Sequence, residues 1–475
     1  MPGTPPADQV SRPAWRPTPD RPRTIRWQGI APGRALVLGF LGTIVSGAML
    51  LWMPMSGASP NTTTFVDALF TAASAVCVTG LIVVDTPQHF SFVGQLVILI
   101  LIQIGGLGYM TTTSFISLLL RQHITLRDRL ALQEGLNQLT LEGLVRYVRR
   151  VIAVTLAVEG VGAVLLAAWW LREFPLPTAL MFGVFHAVSA FNNAGFSLFS
   201  DSLVRYVADP VVSLTVAGLF VLGGIGYSVI SEALDRLRGV RRRLPWSLHA
   251  KLVTTVTTLL LLGGMVAILA GEGGHQGTMA DLSPGAKILA TLFQSATART
   301  AGFNTLAIGN LSQASLFALI LLMFIGASPG STGGGVKTTT FGILALTTWG
   351  ALLGRPEVRL FRRRLAAESV SKAFGVTLLS FLLVNGVALL LLHREGHGLV
   401  PTLFEVTSAF GTVGLSVGLP DSPTSLSGAF SPMGKLLIVL TMFLGRVGPV
   451  TVGAALLVRR RMVRYEYPEE PVLVG

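Results

Sequence analysis

Charge is what this sequence has least of. Only 12% of its 475 residues are Asp, Glu, Lys or Arg, about half the share of roughly 25% found in soluble domains. Hydrophobic residues make up 51% and the mean hydropathy is +0.65. These values exclude a water-soluble globule and indicate an integral membrane protein. Cysteine is almost missing, and Cys77 stands alone. A single thiol forms no intrachain disulfide and no cysteine-only metal centre, so Cys77 reads as a small packed residue. No early apolar run leads into a small-residue cleavage site, so a secretory signal peptide is not expected.

Acidic residues are scarcer than basic ones, 23 against 36, giving a formal net charge of +13. The basic residues gather at 12–34, 121–150, 236–251, 355–372 and 459–464, with long apolar stretches between. Cytoplasmic loops of membrane proteins carry excess Lys and Arg. All five clusters are therefore assigned to the cytoplasm, with some attraction to anionic lipid, and nucleic acid is not expected as a partner. Residues 1–34, rich in Pro and Arg, read as a disordered cytoplasmic tail. Residues 459–475 read as a cytoplasmic C-terminal tail.

What is there repeats. Between basic clusters lie two apolar stretches long enough to cross a bilayer, which takes about 20 residues, and a shorter segment between them. In the first interval these are 35–53, 65–75 and 92–120. The short segments align as LFTAASAVCVTGL, VFHAVSAFNNAGF, LFQSATARTAGF and LFEVTSAFGTVGL. Each carries Phe (70, 185, 293, 404), then a hydroxyl residue (Ser74, Ser189, Thr297, Ser408), then a glycine (Gly80, Gly195, Gly302, Gly414) before one large apolar residue. The glycines are 115, 107 and 112 residues apart. The stretches that follow align too, as QIGGLGY, VLGGIGY, FIGASPG and FLGRVGP. A period near 110 residues marks a repeated unit. The expected units are 35–120, 121–235, 236–354 and 355–458. The expected fold is all-α and integral to the membrane: eight transmembrane helices and four re-entrant helices in four helix–short helix–helix repeats around a pseudo-four-fold pore.

Irregular backbone at membrane depth persists only when buried or lining a watery cavity. Glycine-containing loops meeting at an axis can turn carbonyl oxygens toward a cation and replace its hydration shell. The short helices would point their negative C-terminal ends at it. The loops hold no ring of carboxylates, which favours a large monovalent cation over calcium or magnesium.

These paired motifs resemble the Trk/Ktr/HKT superfamily of potassium transporters over about residues 35–460. The single apolar helix before the first short segment resembles the Ktr-type membrane subunit within it. The resemblance implies potassium transport through a filter of Val78, Thr79 and Gly80; Asn193, Ala194 and Gly195; Thr300, Ala301 and Gly302; and Thr412, Val413 and Gly414. A glycine in all four loops goes with potassium preference in that family, and serine in the first loop with sodium. Asn193 and Thr300 have side chains able either to add a ligand or to brace the loops. The resemblance further implies sodium-stimulated transport, a homodimer, and a cytosolic KtrA-like ring that binds adenine nucleotides. This chain itself shows no nucleotide-binding domain and no need of an organic cofactor.

The stretch GASPGSTGGGVKTTT interrupts the third aligned helix. It comes near two enzyme signatures, a nucleophile elbow at Ser328 and a phosphate loop at Lys337. Neither is expected, because no strand precedes it and Val336 separates the glycine from the lysine. Gly326, Ser328, Pro329, Gly330, Ser331, Thr332, Gly333, Gly334 and Gly335 should instead break the helix. In the resembled family an intramembrane gating loop occupies this place, which the resemblance carries over to these residues together with Lys337 and Arg446. Arg446 stands where the other copies have Gly106, Gly224 and Ala327. A fixed positive charge at that depth is costly and would oppose cation passage.

The residue after each aligned Phe is polar: Thr71, His186, Gln294 and Glu405. This set either braces the filter or forms a solvated ring at its outer mouth. Glu159, alone in an apolar run, either pairs with a basic group or marks a sodium or proton site. Asp85 and Asp201 follow the filter loops and either attract cations or are simply solvated loop acids. The spacing of His393 and His397 is ligand-like, but further ligands are missing. A less selective sodium/potassium permease and an intramembrane serine hydrolase at Ser328 are the rival readings.

Overall fold

The computed structural model describes residues 32–59, 63–108, 144–239, 245–354, 359–361, 363–420 and 422–457. The tail expected up to residue 34 lies outside them as far as residue 31, as do the basic segments at 121–143 and 241–243 and the C-terminal tail.

The chain is mostly helical. In order the helices are α1 (Pro32–Trp52), α2 (Phe65–Val76), α3 (Thr86–His89), α4 (Phe92–Leu107), α5 (Leu144–Trp170), α6 (Leu176–Phe191), α7 (Pro210–Ile225), α8 (Tyr227–Leu237), α9 (Leu248–Glu272), α10 (Pro284–Thr297), α11 (Gln313–Phe324), α12 (Thr338–Leu352), α13 (Ala367–Glu395), α14 (Leu399–Gly411), α15 (Pro432–Val447) and α16 (Pro449–Leu457). A two-strand hairpin, β1 (Arg359–Leu360) with β2 (Arg363–Arg364), lies in the basic segment before α13.

Local chemistry accounts for the boundaries. Ser91, Asp209, Ser312 and Ser431 cap α4, α7, α11 and α15, each accepting from backbone N–H groups of the first turn. Such a cap contributes about 1 kcal/mol. Pro210 and Pro432 follow two of these caps, where a missing N–H costs nothing. At the other end α4, α7 and α15 stop at Gly108, Gly226 and Gly448, with φ of 82°, 99° and 93°. That left-handed backbone suits glycine and turns the chain out of the helix.

These stops end the second helices of the expected units short of a full span. Among the described residues four helices, α1, α5, α9 and α13, are long and apolar enough to cross a membrane. A fifth span arises if α7 and α8, bent by 102° at Gly226, count as one. An aligned glycine ends three of the four second helices, α4, α7 and α15. In the third copy α11 stops at Phe324, and α12 resumes only at Thr338.

The long helices turn Leu38, Val164, Val266 and Leu389 outward and bury others, as a lipid-facing surface requires. The short helices lie inside, and α14 is buried from Phe404 to Gly411. Each of α4, α7 and α11 packs on the next short helix along the chain (α6, α10 and α14), while α15 packs back on α2. The arrangement therefore closes on itself. Lys435 of α15 seals that closure with an ion pair to Asp67 of α2 at 2.8 Å. Glycine permits close approach along the way. A Cβ on Gly105, Gly223 or Gly445 would collide with the carbonyl of Val76, Phe191 or Phe410 in the last turn of a short helix.

Candidate functional site

The segments after α2, α6, α10 and α14 converge. Val78, Asn193, Thr300 and Thr412 all have positive φ (51°, 58°, 77° and 50°) and are fully buried. A left-handed non-glycine residue costs on the order of 1–3 kcal/mol, so the surroundings must impose it at each position. Two residues later Gly80, Gly195, Gly302 and Gly414 are left-handed as well. Between each pair sits Thr79, Ala194, Ala301 or Val413, none of them exposed.

The loops abut in cyclic order. A Cβ on Gly80 would run into the Ala194 carbonyl, and one on Gly195 would stand 2.9 Å from the Ala301 carbonyl oxygen. A Cβ on Gly302 would meet the Val413 carbonyl, and one on Gly414 the Thr79 carbonyl. The fourth loop thus returns to the first. The four glycines line one vestibule of about 560 Å³.

The aligned hydroxyls hold these loops, a role that their alignment signals but does not specify. Ser74 and Ser408 accept the N–H groups of Gly80 and Gly414, each at 3.0 Å. Ser189 and Thr297 donate instead to the carbonyls of Phe196 and Phe303, at 2.7 and 2.6 Å. The polar residues three places earlier divide. His186 Nε2 accepts from Leu198 N–H at 3.3 Å, so its Nδ1–H donates to the Phe182 carbonyl at 2.8 Å. Glu405 accepts from Ser416 Oγ at 2.6 Å and from Ser427 N–H at 2.9 Å. Both thereby tie down chain beyond the glycine. Thr71 instead donates to Asp67 of its own helix, and the buried Gln294 amide has no partner among the described residues. All four side chains are buried, and two of them, His186 and Glu405, reach chain beyond the glycine.

On the side away from the vestibule, residues 325–337 cross beneath the loops. Gly334 N–H donates to Thr412 Oγ1 at 2.9 Å. The Thr332 hydroxyl lies 3.3 Å from the Asn193 amide, which is also 2.8 Å from Thr300 Oγ1. With its nitrogen toward the Phe220 carbonyl at 3.0 Å, that amide satisfies both its ends. Gly333 lies against the Thr300 hydroxyl with no room for a side chain. Backbone bonds add Ser328 N–H to Gly224 O at 3.0 Å, Tyr227 N–H to Gly330 O at 3.0 Å and Gly335 N–H to Gly445 O at 3.2 Å. Ser331 Oγ donates to the Ser328 carbonyl at 2.6 Å, within the tight turn that Pro329 initiates. Gly326 N–H pairs with the Val336 carbonyl at 2.9 Å across the neck of the segment.

Two cations hold the same segment. Lys337 Nζ donates to the Gly333 carbonyl at 2.7 Å. Arg446 donates from one terminal nitrogen to the Thr332 carbonyl and from the other to the Gly105 carbonyl. Ser328 is buried, its hydroxyl accepting from Thr338 Oγ1 at 2.9 Å. It lies in a loop between helices, not on a strand-to-helix elbow.

Other polar residues are placed as follows. Glu159 Oε1 accepts from Asn192 Nδ2 at 2.8 Å, and Asn192 also reaches Gln103 Oε1 at 3.1 Å. An amide therefore supplies the expected counterpart of Glu159, not a basic group. Arg299, which the sequence reading passed over, is buried immediately before Thr300 and donates to the Thr257 carbonyl at 3.2 Å. An arginine within an otherwise uncharged short segment is the available signal. His397 meets Phe430 with the rings tilted by 40° and their centroids 5.5 Å apart. No group of three or more His, Cys, Asp or Glu suited to a metal occurs among the described residues.

The TrkH family, described as cation transport proteins, matches residues 36–463. The chain belongs to the TrkH family. It is 39% identical to Ktr system potassium uptake protein B of Vibrio alginolyticus over 442 residues, covering 93% of this chain and 94% of that protein. The Bacillus subtilis protein of the same name is 38% identical over 458 residues, covering 96% and 100%. Potassium/sodium uptake protein NtpJ of Enterococcus hirae is 35% identical, covering 94% and 98%. The crystal structure of the potassium transporter TrkH from Vibrio parahaemolyticus shares the fold, with a TM-score of 0.71 at 18% identity over 92% of this chain and 87% of that one. Membership of this family makes the chain a multi-pass membrane transporter and not an enzyme, so the hydrolase reading of Ser328 is set aside.

Proposed function

We propose that this chain is the ion-conducting membrane subunit of a potassium uptake system of the Ktr type. One observation carries the reading: each loop glycine abuts the carbonyl that precedes the next loop's glycine, and the series closes. Such a ring offers main-chain oxygens to a dehydrated cation. The ends of α2, α6, α10 and α14 add the negative ends of their dipoles. In this reading the chain holds four helix–short helix–helix units, their second helices broken, and the filter comprises the loop residues from Val78 to Gly80 and their counterparts.

Residues 325–337 and Arg446 form the barrier below the filter. The vestibule faces outward, and the basic segments with both termini face the cytoplasm of a bacterial-type plasma membrane. The chain works as a homodimer on a KtrA-like nucleotide-binding ring, and sodium stimulates it. The relatives named as members of Ktr systems support a multi-component assembly.

Expression in a host lacking its own potassium uptake, together with a KtrA-type subunit, tests the proposal. Growth at limiting potassium supports it; no rescue by a membrane-inserted protein refutes it. A second reading, a permease for both sodium and potassium, is favoured by the Enterococcus hirae relative. Competition between the two ions for uptake into liposomes separates them.

A further inference from the structure

The vestibule above the ring contains little charge. Among its described lining residues the ionisable side chains are Asp85 and Asp201, with no Lys, Arg or His. These two acids are not equivalent. Asp201 is engaged by Arg205, whose Nε and terminal nitrogen approach it at 3.1 and 2.7 Å. Its charge is spent on that pair. Asp85 Oδ2 accepts from Ser200 Oγ at 2.6 Å. Its Oδ1 is buried and has no partner among the described residues. Asp85 stands at the N-cap of α3 yet makes no capping bond. No cationic side chain among the described residues pairs with Asp85, so its charge is left to act on the vestibule that it lines.

We propose that Asp85 is the cation-gathering charge of the outer vestibule, its carboxylate, which has no cationic partner, drawing a hydrated monovalent cation to the wall before the ion enters the ring. This rests on the ion-pathway reading above. A fixed negative charge in a cleft with low-dielectric walls concentrates cations there. One carboxylate without a cationic partner suits weak, exchangeable attraction. A tight calcium site would need more charged oxygens than the vestibule supplies. The walls carry Ser197, Ser200, Asn304 and Ser416, polar groups able to hold the cation's remaining water. The site is lopsided, lying beside the first loop five residues beyond Gly80.

The test is initial potassium uptake into liposomes holding the full chain with its regulatory subunit, measured against external potassium. D85N keeps the shape and an acceptor for Ser200 but removes the charge. At low ionic strength D85N should raise the half-saturating potassium concentration about threefold to tenfold, because the local concentrating field is lost. The maximal rate should stay within about twofold. In about 1 M choline chloride the difference should shrink, since the screening length falls to about 3 Å. D85E should recover the wild-type value, and D201N should shift it less than D85N.

Unchanged half-saturation in D85N, with saturable uptake by the unaltered chain, would overturn the inference. So would a fall in maximal rate alone, insensitive to salt, or an S200A variant matching D85N, since either would make Asp85 a tether for Ser200. Absence of uptake by the unaltered chain would strike the transport reading first, and this inference with it.

Discussion

Arg446 donates to the main-chain carbonyl of Thr332, at the tip of the segment that crosses under the four loops. The same guanidinium reaches the Gly105 carbonyl in α4. The arginine therefore does two things at once. It places a positive charge below the ring, and it pins the crossing segment to a helix from another part of the chain. At an effective dielectric of 20, two unit charges 4 Å apart interact by roughly 4 kcal/mol, a barrier to cation passage on the proposed reading.

Separating those two effects gives the first prediction. Arg446→Ala removes both and should raise unstimulated flux severalfold in liposomes. Arg446→Lys retains the charge but cannot fork to two carbonyls. Fast flux in the lysine variant would assign the barrier to the pin; slow flux would assign it to the charge. Slower flux in the alanine variant, with the protein folded, would count against both.

The second prediction concerns the segment itself. Thr412→Val leaves the Gly334 N–H without its acceptor, at a cost of about 1–3 kcal/mol for a buried donor. The segment should loosen, and basal flux should rise. Deleting residues 331–334 should raise it further. If both variants are made in normal amounts and conduct like the parent chain, the segment is not the barrier.

Glycine positions supply an internally controlled stability test. Gly105→Ala forces a methyl onto the Val76 carbonyl and should destabilise by about 1–3 kcal/mol, the usual cost of overpacking. Gly160, within α5, has open space where its Cβ would lie. Gly160→Ala should be neutral or stabilising by up to about 1 kcal/mol. Thermal melting in detergent should rank the two variants in that order.

Gly80→Ser should change ion preference. The φ of 90° at Gly80 and the adjacent Ala194 carbonyl leave no unstrained place for a side chain. The first loop must shift, and discrimination between potassium and sodium should weaken. Competition of the two ions for uptake reads this directly, and unaltered preference would remove Gly80 from the filter.

External pH provides a further check on Asp85. Burial raises its carboxyl above the ordinary aspartate range, partly offset by the Ser200 hydrogen bond. Its charge is therefore lost at a higher pH than that of an exposed aspartate. Acidifying the outside should raise the half-saturating potassium concentration of the unaltered chain and leave that of D85N flat. The other ionisable group on the described wall, Asp201, is held by Arg205. Identical pH profiles for the two proteins would exclude Asp85 as the titrating group.

The aligned Phe, hydroxyl and glycine motifs were legible in the sequence because each is a local necessity. Glycine marks left-handed backbone at Gly80 and close contact at Gly105, and either requirement shows as a residue type at a fixed offset. Partners were not legible. His186 and Glu405 occupy the same motif position as Thr71 and Gln294, yet only the first two reach chain beyond the glycine. Glu159 gave no sign that an asparagine from the second loop would meet it.

By itself the sequence determined a membrane-embedded helical chain with a fourfold pattern of short segments, since hydropathy, caps and glycines act over a few residues. Only the tertiary structure decided that Arg446 would join Thr332 and Gly105, which lie 114 and 341 positions away. The physical reason is the closure of the fold. Packing α15 against α2 brings the end of the chain back to its beginning, and no local rule fixes which carbonyl an arginine then finds.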